Sequence, residues 1–391
     1  MSNNPAVDAS CGHPTRLYES MIKLPNNHIR TIGEIFSLEP SKQFRIAYAL
    51  FWIVGYLAIY YFFRDDLPEK YGRDALALAD IMQAGKNDEG SFGAMAAIYG
   101  AMPDWFLPHL PPLVGTFSLW VVLSYVRSYV LMLVLPVLLA PYILLNFLYA
   151  LKETLVAVMA LVIHYGLKHI DKTWIAFLFI LCLYVPYGIF VRQYYLLIVV
   201  IFISIVLLMK TPPVVSVVYV CAGIILAFMI PNDIYYQIQG PRDVIYQYLS
   251  TQATSVVRTC FANPLPPENA FNFIVNTLYS LLILFCPFII AQSISEVLML
   301  VNVLTYFGMV YCGFKYFRGG AQLPYALFVA HILTQAQFEP DLGSYVRHFS
   351  SVWVLIAPAL QYLLRPRPKP DVVPQTAPSP QTSAKYDVPV T

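Results

Sequence analysis

Three short clusters of ionisable and aromatic side chains stand at the ends of apolar stretches in this 391-residue chain. They are Lys152-Glu153, the run from Arg192 to Tyr195, and the run from Glu339 to His348. Ionisable groups at the rim of a membrane bundle are costly to desolvate, which makes them functional candidates by default. We expect these clusters to converge on one face of the protein and to carry its chemistry.

The last cluster offers acid–base chemistry, because Glu339, Asp341, Arg347 and His348 follow one another closely in the sequence. An imidazole exchanges protons near neutral pH, so His348 is the first candidate for a general base. Glu339, Asp341 and Glu153 are the alternatives, and one of them can instead orient the imidazole or bind substrate hydroxyl groups. The simpler interpretation is that His348 only bonds to a loop carbonyl.

The other candidates are cationic or aromatic. Guanidinium groups match pyrophosphate oxygens bidentately and stay charged at physiological pH, which predicts a lipid-linked phosphate or pyrophosphate as substrate. Tyrosine rings can stack on sugars, although they also populate the interfacial belts of ordinary membrane proteins. A lysine next to a glutamate can likewise mark only a membrane boundary. The candidate substrate-binding residues are Arg192, Arg347, Lys152, Tyr194, Tyr195, Arg242 and Arg258.

Composition sets the class of protein. The chain is 58% hydrophobic and 12% charged, whereas soluble domains carry about 25% charged residues. A formal net charge of +2 and the lack of a recognition motif argue against nucleic acid as a partner. The phosphate-cradling and HExxH motifs are absent, and the six cysteines lack metal-site spacing, so we expect no cofactor and no metal ion.

The elements that must position the clusters are apolar helices, and the sequence predicts an all-α polytopic membrane protein with about ten transmembrane helices. The first apolar stretch would act as an uncleaved anchor. The predicted parts are a cytoplasmic N-terminal segment (1–45), a transmembrane bundle (46–364) with larger outer loops at 64–111 and 231–269, and a disordered cytoplasmic tail (365–391).

Orientation follows from the positive-inside rule. With the N-terminus in the cytoplasm, Lys168 and Lys210 fall inside, and Lys152 falls outside. A crossing by residues 271–286 would break this pattern by placing Arg318 outside. Polar residues recur there at helical spacing, which predicts a helix lying along the outer interface instead. The polar stripe consists of Asn269, Asn272, Asn276 and Ser280.

At these clusters the chain resembles bacterial polysaccharide repeat-unit polymerases of the O-antigen polymerase (Wzy-like) kind. The similarity lies in the Lys152-Glu153 pair, in RQYY from Arg192, and in EPDLGSYVRH from Glu339. It implies an inverting membrane glycosyltransferase with a GT-C-like helical bundle and two larger periplasmic loops. Such enzymes sit in the bacterial inner membrane with the active site facing the periplasm, and they serve O-antigen or exopolysaccharide biosynthesis.

The resemblance also implies a substrate and partners. The growing glycan would pass from undecaprenyl pyrophosphate onto a fresh lipid-linked repeat unit, with Arg192 and Arg347 binding the leaving pyrophosphate. The implied partners are the lipid-linked oligosaccharide and the lipid bilayer, with a chain-length regulator as a further candidate.

Two other functions stay open. An O-antigen ligase-like enzyme would pass the glycan to a different acceptor. A membrane transporter or flippase of lipid-linked glycans would carry charges near mid-membrane, often on broken helices, whereas the charges here gather at one rim.

Overall fold

The computed structural model describes residues 39–67, 72–84, 90–251, 259–286 and 293–363. In these ranges the regular structure is helical, and an isolated β-bridge joins Cys260 to Asp341. The helices are α1 Lys42–Ala58, α2 Arg73–Ala84, α3 Ser91–Gly100, α4 Leu110–Ser124, α5 Tyr129–Asn146, α6 Lys152–Gly166, α7 Thr173–Phe190, α8 Tyr194–Lys210, α9 Pro213–Met229, α10 Asn232–Ser250, α11 Ala270–Phe285, α12 Ile294–Tyr316, α13 Leu323–Phe338 and α14 Leu342–Val352. Two 3-10 helices follow, Trp353–Leu355 and Ala357–Tyr362.

Four helical segments of the described chain are long and apolar enough to cross a membrane: Lys42–Asp66, Leu107–Ser124, Thr173–Phe190 and Glu296–Tyr316. The pair α9 and α10 adds a fifth if its 93° bend is counted as one broken span. These features confirm an all-helical membrane protein. The count of ten spans stays a prediction, and the tail 365–391 lies outside the described residues.

Hydrogen bonds from capping side chains explain where helices α6 and α14 begin. Thr154 Oγ1 accepts a hydrogen bond from Leu151 N at 3.1 Å at the start of α6. Asp341 Oδ1 accepts one from Ser344 N at 2.9 Å at the start of α14. Such side-chain oxygens satisfy backbone groups that the first turn of a helix leaves unpaired. The first residues of α6 and α14 are therefore held in place locally, close to the ionisable clusters.

The core lies around α13, which packs along α8 and also contacts α14. Helix α14 in turn packs against α5 and α6. Helix α9, by contrast, has no buried residue. The helices that carry the predicted clusters are thus the interior of the bundle, where side-chain positions are most constrained by packing.

Helices α6 (Lys152–Gly166) and α13 (Leu323–Phe338) run in opposite directions and define two ends of the bundle. The start of α6 and the end of α13 meet through His348, and their other ends line one cavity. At 1.5 Å per residue each helix covers about 23 Å. We call the end with Lys152 and Glu339 the site end. At the opposite end Lys168 and Arg318 line the same cavity, and the side of the membrane on which this end lies stays a prediction.

The polar stripe on α11 is divided between two environments: Asn269 is exposed and Asn272 partly exposed, whereas the other two residues face the protein interior. Asn276 and Ser280 are fully buried. Asn276 Nδ2 donates to Gln239 Oε1 at 3.0 Å and to Leu265 O at 2.8 Å, and Ser280 accepts from Arg242. Helical spacing shows that one face is polar, but not what covers that face. The placement of 271–286 in the membrane stays a prediction.

Cysteine labelling tests the arrangement of the two ends. In a cysteine-free background, single cysteines at Lys168 and Arg318 should react with an impermeant thiol reagent from the same side of sealed vesicles. A cysteine at Asp65 should react from the other side, because Arg64 O accepts from Tyr149 Oη at the site end. Reaction of the Arg318 and Asp65 positions from one side would contradict this arrangement.

Candidate functional site

Four buried side chains from distant parts of the sequence form a continuous line, which we call the Arg-Glu-His-Glu chain. Arg192 Nη2 lies 3.1 Å from Glu153 Oε1. The same oxygen lies 3.3 Å from His348 Nδ1, and His348 Nε2 lies 3.0 Å from Glu339 Oε1. None of the four residues is more than 8% exposed. The structure thus brings together one member of each sequence cluster, and in the last cluster two.

Three of the four members sit where a helix begins or ends, and the fourth lies inside a short helix. Glu153 is in the first turn of α6, and Glu339 directly follows α13. Arg192 lies in the tight turn between α7 and α8, where its backbone N donates to Tyr187 O and its carbonyl accepts from Tyr195 N. His348 lies within α14. Because these helices pack against one another, their ends meet and the charged side chains face the same small volume.

The line balances charge only when the imidazole is protonated. A protonated ring donates from both nitrogens, which matches the two carboxylates that His348 faces. Two carboxylates are then paired with two cations, as buried charges require. As a consequence, His348 can accept a proton from a substrate only if one of its two carboxylate contacts opens. The role of His348 as general base stays a prediction, and it requires that one of these two contacts open.

The two glutamates differ in how fully they are paired. Glu339 uses both oxygens, because Oε1 faces His348 and Oε2 accepts from Ser344 Oγ. Burial alone would raise the pKa of Glu339, but the charge of His348 and the bonds from His348 and Ser344 hold it below its usual range. Glu153 shares Oε1 between Arg192 and His348, and its Oε2 is buried without a hydrogen-bond partner in the described part of the chain.

Asp341 is not a member of the line. Its carboxylate caps α14 through Ser344 N, and its backbone forms the bridge with Cys260. Burial raises the pKa of Asp341. Asp341 thus caps the helix that carries His348. Among the catalytic candidates it is the one whose contacts stabilise local structure.

Two further cations flank the line and contact side chains of α2 and α3. Arg347 Nη1 lies 3.0 Å from Asp74 Oδ2 of α2, with side chains 28% and 33% exposed. Lys152 Nζ donates to Ser91 Oγ of α3 at 3.3 Å and lies 3.3 Å from the centre of the Phe92 ring. Lys152, Arg192 and Arg347 are close enough to influence one another electrostatically.

The two predicted tyrosines have different surroundings. Tyr194 Oη accepts from Arg192 Nη1 at 2.8 Å, and its ring packs on Phe338 with centroids 5.2 Å apart. Tyr195 is 2% exposed and packs edge-on against Tyr187 and His331. In this conformation Tyr195 belongs to the aromatic core, so it offers no free face for a sugar.

Arg242 lies apart from the Arg-Glu-His-Glu chain, and its guanidinium group forms hydrogen bonds within the protein. The residue is completely buried. Nη1 donates to Asn263 Oδ1 at 2.9 Å and to Ser280 Oγ, and Nη2 donates to the carbonyl of Ala336. These bonds tie α10, α11 and the end of α13 together. The predicted substrate-binding residue Arg258 lies outside the described residues.

Sequence reasoning missed the partners of the predicted residues. Asp74 and Ser91 carry no sequence signal that connects them to Arg347 and Lys152. His331, in the interior of the apolar helix α13, likewise has no sequence signal that names its partner. Tyr184 Oη lies 2.9 Å from His331 Nε2. Within the described ranges no group of three or more His, Cys, Asp or Glu side chains is placed to hold a metal ion.

Removing the carboxylate at the centre of the line should destabilise the fold. Glu153→Gln leaves the buried Arg192 without a counter-ion, and breaking a buried pair costs about 3–5 kcal/mol. Asp74→Asn, the matched control, breaks the partly exposed pair with Arg347 and should cost at most about 1 kcal/mol. Thermal unfolding in detergent compares the two. Equal, small changes would show that the buried line does not stabilise the protein.

Comparison with protein-family models, with curated proteins and with solved structures finds no match.

Proposed function

We propose that the protein is an inverting membrane glycosyltransferase: a polysaccharide polymerase that joins undecaprenyl-pyrophosphate-linked oligosaccharide repeat units on the periplasmic side of a bacterial inner membrane. The observation that carries this proposal is the Arg-Glu-His-Glu chain with Arg347 and Lys152 beside it. Cations suited to pyrophosphate and carboxylates suited to a hydroxyl proton lie together at one end of a helical membrane protein.

The reaction needs both kinds of group. The acceptor hydroxyl oxygen attacks the anomeric carbon from the side opposite the pyrophosphate, and the new C–O bond forms as the bond to the pyrophosphate breaks. The bonding electron pair leaves with the pyrophosphate, and the hydroxyl proton passes to a base. Cations aimed at the leaving group stabilise the charge that develops there.

Among the cations, Arg347 is the best placed to meet the leaving group first. Its pair with Asp74 is partly exposed, and its Nε is without a hydrogen-bond partner in the described part of the chain. A pyrophosphate can replace the Asp74 carboxylate at little electrostatic cost, because one anion takes the place of another. Arg192 is more deeply buried and forms hydrogen bonds to Glu153 and Tyr194. In this scheme it does not bind the leaving group but holds Glu153 in place.

For the base, the geometry favours Glu153 over His348. Among the described residues Glu153 Oε2 has no hydrogen-bond partner, whereas both nitrogens of His348 face carboxylates. A carboxylate paired with arginine is a weak base, so it takes the proton late, once the hydroxyl oxygen has bonded to the anomeric carbon and become acidic. In this scheme His348 positions Glu153 and links it to Glu339.

A different class of function has one observation in its favour. A buried His331–Tyr184 pair lies inside the bundle, and intramembrane His and Glu residues are common in proton relays of transporters. A flippase of lipid-linked glycans would move its substrate across the liposome membrane without forming a covalent bond. A polymerase would lengthen the glycan in detergent, where no transmembrane gradient exists. A ligase-like enzyme would transfer the glycan only when an acceptor other than a lipid-linked repeat unit is added.

Arg347→Ala should lower the polymerisation rate by about 100–1000-fold, the usual loss when one fixed donor to a developing charge is removed. Protein abundance should be unchanged, since the pair it breaks is partly exposed. Arg64→Ala is the matched control, because Arg64 also forms an exposed pair at the site end. Glycan length is measured with purified protein and lipid-linked repeat units. Wild-type rates from Arg347→Ala would refute the role.

His348→Gln separates the two candidate bases. Glutamine can keep one hydrogen bond to a carboxylate but cannot take a proton, so in our scheme His348→Gln should remain more active than Glu153→Gln. Loss of a general base costs about 100–10,000-fold. Both variants are assayed well below their unfolding temperatures, so that unfolding does not contribute to the difference in activity. The reverse order of activities would return the role of base to His348.

A further inference from the structure

A cavity of about 500 Å³ lies at the end of the bundle opposite the Arg-Glu-His-Glu chain. It is bounded by the ends of α4, α6, α12 and α13 and by the C-terminal 3-10 helices. Its volume falls within the range of about 300–1,000 Å³ that is usual for small-molecule sites. The residues that decide its chemistry are Tyr125, His164, Lys168, Arg318, Tyr325 and Gln361.

Two buried polar atoms of cavity-lining residues have no hydrogen-bond partner in the described part of the chain: His164 Nε2 and Tyr325 Oη. The two residues are 7% and 1% exposed. Burying a polar group without a partner is unfavourable, and such groups in native proteins call for an explanation. A ligand that offers hydrogen-bond acceptors would satisfy the tyrosine hydroxyl and, when Nε2 carries the proton, the imidazole as well.

The charge around the cavity selects for anions. Lys168 and Arg318 both contribute to its lining, against one acid, Asp171. Arg318 is held there by hydrogen bonds from Nη1 to Phe314 O and Phe317 O, at 3.0 and 2.9 Å. Gly319 makes the following turn possible, because its φ of 58° is one that side-chain-bearing residues rarely adopt. The sequence thus places a guanidinium group and an ammonium group at one opening.

We propose that this cavity binds a phosphate ester, and specifically the phosphodiester head group of an anionic membrane lipid. Phosphate oxygens match the donors of Lys168 and Arg318, and basic pockets between membrane helices on the cytoplasmic side are suited to anionic head groups. Apolar and aromatic walls, such as Phe317 and Leu355, fit the part of a lipid next to its head group. The site is separate from the proposed glycosyl-transfer site, which lies at the other end of α6 and α13.

The test is a thermal-unfolding measurement on the purified full-length protein in detergent. The probes are phosphatidylglycerol, phosphatidylcholine and soluble glycerol phosphate, each added separately. Phosphatidylglycerol should raise the unfolding midpoint of the wild type, and the double variant Lys168→Gln/Arg318→Gln should lose at least half of that shift. The matched control Lys172→Gln/Lys210→Gln removes two exposed lysines outside the cavity lining and should keep the full shift.

The single variant Tyr325→Phe tests the same site if the double variant folds poorly. It removes only a hydroxyl that has no hydrogen-bond partner in the described part of the chain. The protein should therefore keep its stability without lipid, while the rise in unfolding midpoint with phosphatidylglycerol becomes smaller. If glycerol phosphate alone produces a shift that the double variant loses, the site stands and its ligand is a soluble phosphate ester. An equal shift with phosphatidylcholine, no shift with either phosphate, or an equal shift in wild type and double variant would overturn the proposal.

Discussion

A single carboxylate, that of Glu153, fixes the relative positions of three parts of the bundle. Its Oε1 lies within 3.3 Å of both Arg192 and His348, and the residue is 1% exposed. An ionised group buried this deeply needs its counter-ions, because water cannot replace them. The start of α6, the turn between α7 and α8, and α14 are therefore held together by one oxygen atom, and Glu339 is added through the far side of the imidazole.

Around this buried line, the ion pairs become weaker towards the surface. The Arg192–Glu153 pair is closed off from solvent, whereas the Arg347–Asp74 pair is about one-third exposed. Exposed pairs contribute little free energy and exchange partners easily. In the proposed function this difference in burial gives the two arginines different roles: Arg192 would maintain the geometry, and Arg347 would release Asp74 in favour of another anion.

The two ends of the bundle are linked through α6 and α13, which run antiparallel between them. Residues near the start of α6 and the end of α13 belong to the Arg-Glu-His-Glu chain, and residues at their other ends line the cavity proposed to bind an anionic lipid. Both helices are buried along much of their length.

The sequence by itself determined the class of protein, the apolar helices and the helix ends at which chemistry could occur, because hydrophobicity, charge and capping act over a few residues. Lys152-Glu153, Arg192 and the Glu339–His348 run stand out for that reason. Only the tertiary structure decided which side chains meet: Glu153 with His348, Arg347 with Asp74, Arg242 with Ser280. It also turned Asn276 and Ser280 of the polar stripe inward, placed Tyr195 in the aromatic core and made Asp341 the N-cap of α14. Periodicity describes one face of a helix, but the partner of that face comes from a distant part of the chain, and no local pattern encodes it.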